Sequence, residues 1–146
     1  VRIVDSGVSS TGLPYLAMEY VSGIPIDRWC DERRLAVSDR LLLFLEVLDA
    51  VEYAHRRFLL HCDLKPSNIF VASDGHVRLL DFGVAKLLNP ESFGFEEALT
   101  QATLRPFTPD FASPEQLKSG VLTTTTDVYS AGAVLHAMLC GQAPFE

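Results

Sequence analysis

The sequence predicts an α+β chain, rich in strands at its start and mainly helical thereafter, with one tight β-hairpin between the helical parts. Three features predict it: apolar runs around a Ser-Ser-Thr-Gly turn near the start, helical periodicity after residue 38, and Asp74-Gly75 between two short apolar runs. Residues 1–8, the turn Ser9-Ser10-Thr11-Gly12 and residues 15–21 read as strand, turn, strand; Ser22-Gly23 and Pro25 break the pattern. A short helix is expected over 27–33. A longer one over 38–57 takes Ser38 as its N-cap and sets Leu41, Leu45, Leu48 and the 51/52 region on its apolar face, with Phe44 flanking that face. Leu59-Leu60 lead into a polar segment, 61–68. Residues 82–115 contain Pro90, Pro106, Pro109 and Pro114 with few periodic apolar positions, so they read as a long irregular excursion. Such loops in compact domains are usually functional or disordered. The run 127–140 before Gly141 is apolar nearly all round and is expected in the middle of the core.

With 146 residues, 48% of them apolar, the chain can bury one sizeable core but hardly two. A formal net charge of -7 argues against nucleic acid as a main partner, because phosphate backbones reward clustered Lys and Arg and no basic stripe offsets the acidity. Cys30, Cys62 and Cys140 are odd in number and lack metal-ligand spacing, which suits a reducing cytoplasm better than a disulfide framework. No apolar run reaches the roughly 18 residues of a membrane segment. The missing initial Met and the end at Pro144-Phe145-Glu146, just past an apolar segment, lead us to expect a longer parent, which could be anchored elsewhere.

The hairpin concentrates the chemistry. Asp-Gly between Ile69-Phe70-Val71 and Val77-Arg78-Leu79-Leu80 is a strong signal for a tight turn, and folding about its midpoint sets Asn68 opposite Asp81. Cross-strand partners lie roughly 5 Å apart. An amide oxygen and a carboxylate at that separation suit Mg2+, a hard cation usually held by few protein ligands plus substrate phosphates. Together with Asp63 they point to a phosphoryl-transfer site.

The blocks His61-Cys62-Asp63-Leu64-Lys65-Pro66-Ser67-Asn68, Asp81-Phe82-Gly83, Ser113-Pro114-Glu115 and Asp127-Val128-Tyr129-Ser130-Ala131-Gly132 resemble the protein-kinase signature set in order and spacing. Met18-Glu19-Tyr20-Val21 is similar to that family's hinge. The chain looks most like the bacterial eukaryotic-like serine/threonine kinases, which carry runs similar to 26–33 and 108–116. The resemblance implies a truncated protein kinase-like fold: residues 1–21 end the small lobe and form the hinge, and 22–146 begin the large lobe. It implies ATP and Mg2+ as cofactors and a protein with Ser/Thr hydroxyls as substrate.

Residue by residue, the resemblance makes Asp63 the group that accepts or orients the substrate hydroxyl proton, Lys65 the cation that neutralises the transferring phosphoryl group, and Asn68 and Asp81 the metal ligands. Taken singly, each has a plainer reading as a turn or surface residue. Thr108 matches a threonine that hydrogen-bonds the catalytic pair. Met18 aligns with the gatekeeper, the Glu19 carbonyl and Val21 amide with the readers of the adenine edge, and Phe70 with the floor of the base slot; periodicity alone makes these core strand residues. His61 and Phe82 resemble spine residues, and Gly83 supplies backbone freedom after the metal ligand. Glu115 matches a glutamate that pairs with a later arginine, missing here, so an unpaired or solvated carboxylate is expected. Asp127 would brace the backbone of the 61–68 segment.

The sequence departs from the family in two ways. Cys62 stands where most members carry arginine, so a phosphate on the activation segment would lack its usual cationic receptor. Activity is therefore expected to depend little on phosphorylation of Ser92, Thr100 or Thr103. Residues 1–146 contain no glycine-rich loop or strand lysine of the family's kind, and the chain in isolation is expected to be inactive, since phosphoryl transfer rests on positioning and electrostatics. Two alternatives stay open: a pseudokinase or truncated interaction module, and a small-molecule kinase of the aminoglycoside type.

Overall fold

The computed structural model describes residues 1, 3–12, 14–81 and 109–144. Strands β1 (Ile3–Val8) and β2 (Pro14–Met18) form an antiparallel pair around the predicted turn. A second antiparallel sheet has the order β3-β4-β5, from Gly23–Pro25, Ile69–Ala72 and Val77–Leu79. The helices are α1 (Ile26–Glu32), α2 (Val37–His55), α3 (Pro114–Leu117) and α4 (Thr124–Cys140), with single 3-10 turns at Pro66–Asn68 and Pro109–Phe111. One core joins them: Ile26 and Cys30 of α1, Val47 and Val51 of α2, Ile69 and Val71 of β4, and Val134 and Met138 of α4.

Strand β3 was unexpected, because Ser-Gly-x-Pro reads as a break. Gly23 belongs there because a Cβ at this position would lie 2.5 Å from the Val71 carbonyl oxygen. Backbones approach that closely only where one of them carries no side chain. Pro25 is tolerated because β3 is an edge strand with a free side.

Helix α2 overturns two expectations. Its N-cap is Ala36, extended at ψ 159 and without a side-chain hydrogen bond, so Ser38 lies inside the first turn beside Asp39, whose charge favours the helix N-terminus. Its buried face is Phe44, Val47, Val51 and Ala54. Leu41, Leu45 and Leu48 are instead exposed, by between 40% and 54%. Both stripes have helical spacing, but the leucine stripe continues into Glu52, which pairs with Arg56 at 2.7 Å on the surface. The other stripe stays apolar to its end, so packing selects it. Arg40, which no sequence pattern singled out, ties the helices: its guanidinium donates to Leu35 O, to Met138 O at 2.6 Å and to Asp31 Oδ1 at 2.7 Å.

Helix α4 opens on a Thr123–Thr126 capping box and closes on Gly141, left-handed at φ 78. It is not buried all round as expected. Val128 is 64% exposed and Leu139 also reaches the surface. Of the irregular excursion 82–115, the stretch 109–115 folds into the 3-10 turn and the start of α3, and 82–108 lie outside the described residues.

The hairpin forms, with a register one residue away from the expected one. Ile69 pairs with Leu79, Phe70 with Arg78 and Val71 with Val77. Ala72 N donates to His76 O, and Gly75 N to Ala72 O, with Gly75 at φ 85. The loop is therefore three residues long and ends on a left-handed glycine, the second common hairpin solution, rather than a two-residue turn. Asn68 consequently faces Leu80, whose N–H donates to its carbonyl at 2.8 Å, and Asp81 lies one residue beyond.

Candidate active site

Residues 61–65, between α2 and the 3-10 turn that leads into β4, have no regular structure, so their backbone groups need partners from elsewhere. Asp127, in the first turns of α4 and fully buried, supplies two of them: its carboxylate accepts from His61 N and Cys62 N, each at 2.8 Å, and also from the side chain of His55 through Nε2 at 2.7 Å. The expected brace is thus formed. His55, in the last turn of α2, was missed; a histidine there is favourable in any helix, and nothing in the sequence links it to a residue 72 positions on.

Three of the predicted site residues come together. Asn68 Nδ2 donates to Asp63 O and Asp63 Oδ2, both at 2.9 Å, and Lys65 Nζ lies 3.0 Å from the same Oδ2. One carboxylate oxygen of Asp63 is thereby pinned twice. Its Oδ1 has no hydrogen-bond partner among the described residues, and the side chain is 28% exposed. A carboxylate held by one oxygen and open at the other is suited to take a proton from an incoming hydroxyl.

His61 connects this group to the hairpin. Its Nε2 meets Leu80 O at 3.0 Å while its Nδ1 accepts from Asp63 N at 3.4 Å, a pattern that only the neutral ring with hydrogen on Nε2 satisfies. Burial pushes its pKa below the ordinary 6.5, and the carboxylates of Asp127, Asp63 and Asp81 pull the other way. The unfolded chain therefore takes up a proton as pH falls through about 6.5 while the folded chain does not. This stability is present above that pH and lost below it. In urea titrations of the full-length protein we expect the midpoint to fall as pH drops from about 7.5 to about 5.5, and that slope to flatten in His61→Leu. An equal slope in both proteins would refute the assignment to His61.

Asp81 is exposed and left-handed at φ 44. Neither it nor Asn68 Oδ1 has a hydrogen-bond partner among the described residues, which leaves an amide oxygen and a carboxylate open. That donor set fits Mg2+. Among the described residues no three His, Cys, Asp or Glu side chains cluster into a metal cage, so a cation here would need further oxygens, as from a bound phosphate.

The other predicted residues lie apart. Glu19 and Val21 line a cleft of about 300 Å³ with Ala72, Ser73 and Arg78, and neither Met18 nor Phe70 lines it. Met18 ends β2, half-buried. Phe70 is half-buried on the face of β4 opposite buried Ile69 and Val71, which removes it from the core that periodicity alone suggested. Thr108, Phe82, Gly83, Ser92, Thr100 and Thr103 lie outside the described residues. Glu115 is not left unpaired: Thr126 Oγ1 donates to it at 2.7 Å, a bond that with the local backbone holds its carboxyl below the usual range. The Thr126 hydroxyl thus partners a carboxylate that was expected to be unpaired or solvated. Gln116 donates from Nε2 to Cys62 O at 2.7 Å. Its Ser113-x-x-Gln116 capping box was legible in the sequence, but the second bond was not.

The geometry is thus a braced loop carrying an aspartate, lysine and asparagine, followed by a hairpin ending in a second aspartate. The protein kinase domain family matches residues 1–146, and the chain belongs to that family. It is 38% identical over 154 residues to a probable serine/threonine-protein kinase PknB of Bifidobacterium longum, covering 99% of this chain and 22% of that protein. It is 34% identical to a probable PknB of Lactococcus lactis, covering 96% and 22%, and 33% identical to the serine/threonine-protein kinase pkn3 of Myxococcus xanthus, covering 100% and 27%. The chain thus spans about a quarter of the length of these curated relatives. Among the described residues no helix is long and apolar enough to cross a membrane.

Proposed function

We propose that the protein transfers the terminal phosphoryl group of ATP to serine or threonine hydroxyls of protein substrates. The supporting observation is Asp63, whose Oδ2 is fixed by Asn68 and Lys65 while Oδ1 has no hydrogen-bond partner among the described residues. In this reading Oδ1 orients the substrate hydroxyl and accepts its proton as the oxygen attacks phosphorus. Lys65, beside it, offsets charge on the transferring group. Asn68 and Asp81 would hold Mg2+, which when bound neutralises the phosphate oxygens and the leaving group.

Residues 1–21 act as the end of the small lobe and the hinge, and 22–146 as the first part of the large lobe. The Glu19 carbonyl and Val21 amide read the adenine edge, with Met18 as gatekeeper and Phe70 beneath the base. Thr108 matches, in this reading, the family threonine that hydrogen-bonds the catalytic aspartate and lysine. The acidic charge and the odd number of cysteines, without metal-ligand spacing, favour a cytoplasmic setting and a role in signalling through proteins rather than nucleic acid.

The test is Mg2+-dependent transfer of labelled phosphate from ATP by the full-length protein to a Ser/Thr peptide and, in parallel, to an aminoglycoside. Peptide labelling is the expected result. Labelling of the aminoglycoside alone, or of neither, would overturn the proposal.

A further inference from the structure

Cys62 is left-handed at φ 60, a conformation an L residue keeps only when its surroundings over-determine it. Its two peptide groups are gripped from different elements. The N–H on its N-terminal side donates to Asp127 Oδ1 of α4, and the carbonyl on its C-terminal side accepts from Gln116 Nε2 of α3. The two grips act on different peptide planes, so neither replaces the other.

The second plane is the one that matters for chemistry. The Cys62 carbonyl shares it with the Asp63 N–H, so any rotation that frees the carbonyl also turns that N–H and re-aims Asp63. Apart from Gln116, the described hydrogen bond on this plane is the 3.4 Å contact from Asp63 N to His61 Nδ1. Gln116 is itself well placed to hold. Its Oε1 accepts from Ser113 N at 3.0 Å while its Nε2 grips Cys62 O at 2.7 Å, and partners of opposite character at the two ends leave its amide a single orientation.

We propose that Gln116 is a positioning residue for Asp63, locking the 62–63 peptide so that Oδ1 points at the substrate hydroxyl. The role assigned to Asp63 rests on the proposed function; the brace itself rests on geometry. Because Gln116 belongs to α3, the aim of Asp63 is coupled to the seating of α3.

Gln116→Glu in the full-length protein separates the two uses of the side chain. Glutamate keeps an oxygen for Ser113 N–H and is equally favoured at this place in a capping box, so α3 stays formed. It also sets a carboxylate against the Cys62 carbonyl, where a donor is needed. We expect kcat for a Ser/Thr peptide to fall by about 10- to 100-fold, as for a misaimed catalytic group. KM for ATP and peptide should stay within about twofold and thermal stability should hold, while hydrogen exchange quickens at the amides of 61–64. Unchanged kcat in the variant of an active protein overturns the proposal. If the wild type transfers no phosphate, the function fails separately, and exchange still decides the brace: unchanged exchange at 61–64 overturns it.

Discussion

Asp63→Asn is expected to lower kcat for a Ser/Thr peptide by about 10²- to 10⁴-fold, the range that a positioned general base supplies. Asparagine has the same shape, and its carbonyl oxygen can still take the bonds from Asn68 and Lys65 that fix Oδ2. The atom facing the substrate then becomes a donor. A hydroxyl meeting an N–H has nowhere to send its proton, so the loss falls on the chemical step and not on binding.

Stability should change little. The Lys65–Asp63 pair is partly exposed, with side chains 20% and 28% accessible, and such pairs contribute at most about 1 kcal/mol. KM for ATP should likewise hold, because Asp63 touches no residue assigned to the adenine edge. Steady-state kinetics with urea unfolding on the same preparations separates these effects. A kcat within tenfold of wild type would remove Asp63 from the chemistry as the group that takes the proton of the substrate hydroxyl.

Backbone strain marks the same site independently. Five non-glycine residues among those described have positive φ: Arg34, Phe58, Cys62, Asp81 and Ser119. Arg34, Phe58 and Ser119 each lie two or three residues past a helix C-terminus, where a left-handed residue closes the last turn. Cys62 and Asp81 have no such excuse. They flank the Asp63–Asn68 group in the loop and at the end of the hairpin, the kind of position where strain persists because the surroundings impose it.

Much of this was readable from residue order. Asp74-Gly75 announced the hairpin, and Asp63, Lys65 and Asn68 converge because a single 3-10 turn at Pro66–Asn68 folds three close positions back on one another. What escaped reading was degenerate in one dimension. The same Asp-Gly serves a two-residue turn or the last two places of a three-residue loop, and the choice moves the partner of Asn68 from Asp81 to Leu80. On α2 two apolar stripes compete, and only the neighbouring sheet and α4 select Phe44, Val47 and Val51 over Leu41, Leu45 and Leu48. Gly23 looked like a terminator because the carbonyl that crowds it belongs to Val71, far along the chain. His55 and Gln116 were invisible for the same reason: their partners are 72 and 54 residues away.

Asp127→Ala is expected to cost about 3–5 kcal/mol of folding stability, the largest loss of any single substitution at the site. The carboxylate is buried to 0% exposure and receives three donors, from His55, His61 and Cys62. Truncation removes their shared acceptor at once. The His61 and Cys62 N–H groups belong to a stretch without secondary structure, so no ladder takes them up, and an unpaired buried donor costs about 1–3 kcal/mol. Asp127→Asn should recover only part of the loss, since an amide offers one acceptor oxygen and turns a donor toward at least one of the three N–H groups. The strain at Cys62 makes the effect local as well as global. Released from Asp127, the left-handed residue relaxes toward ordinary φ, and the peptide that aims Asp63 goes with it. Urea denaturation of the full-length protein should show the stability loss, with hydrogen exchange at 61–63 rising beyond what the global change accounts for. A loss below about 1 kcal/mol would mean that the loop holds its shape without the carboxylate, and that α4 contributes packing to this site but not its geometry.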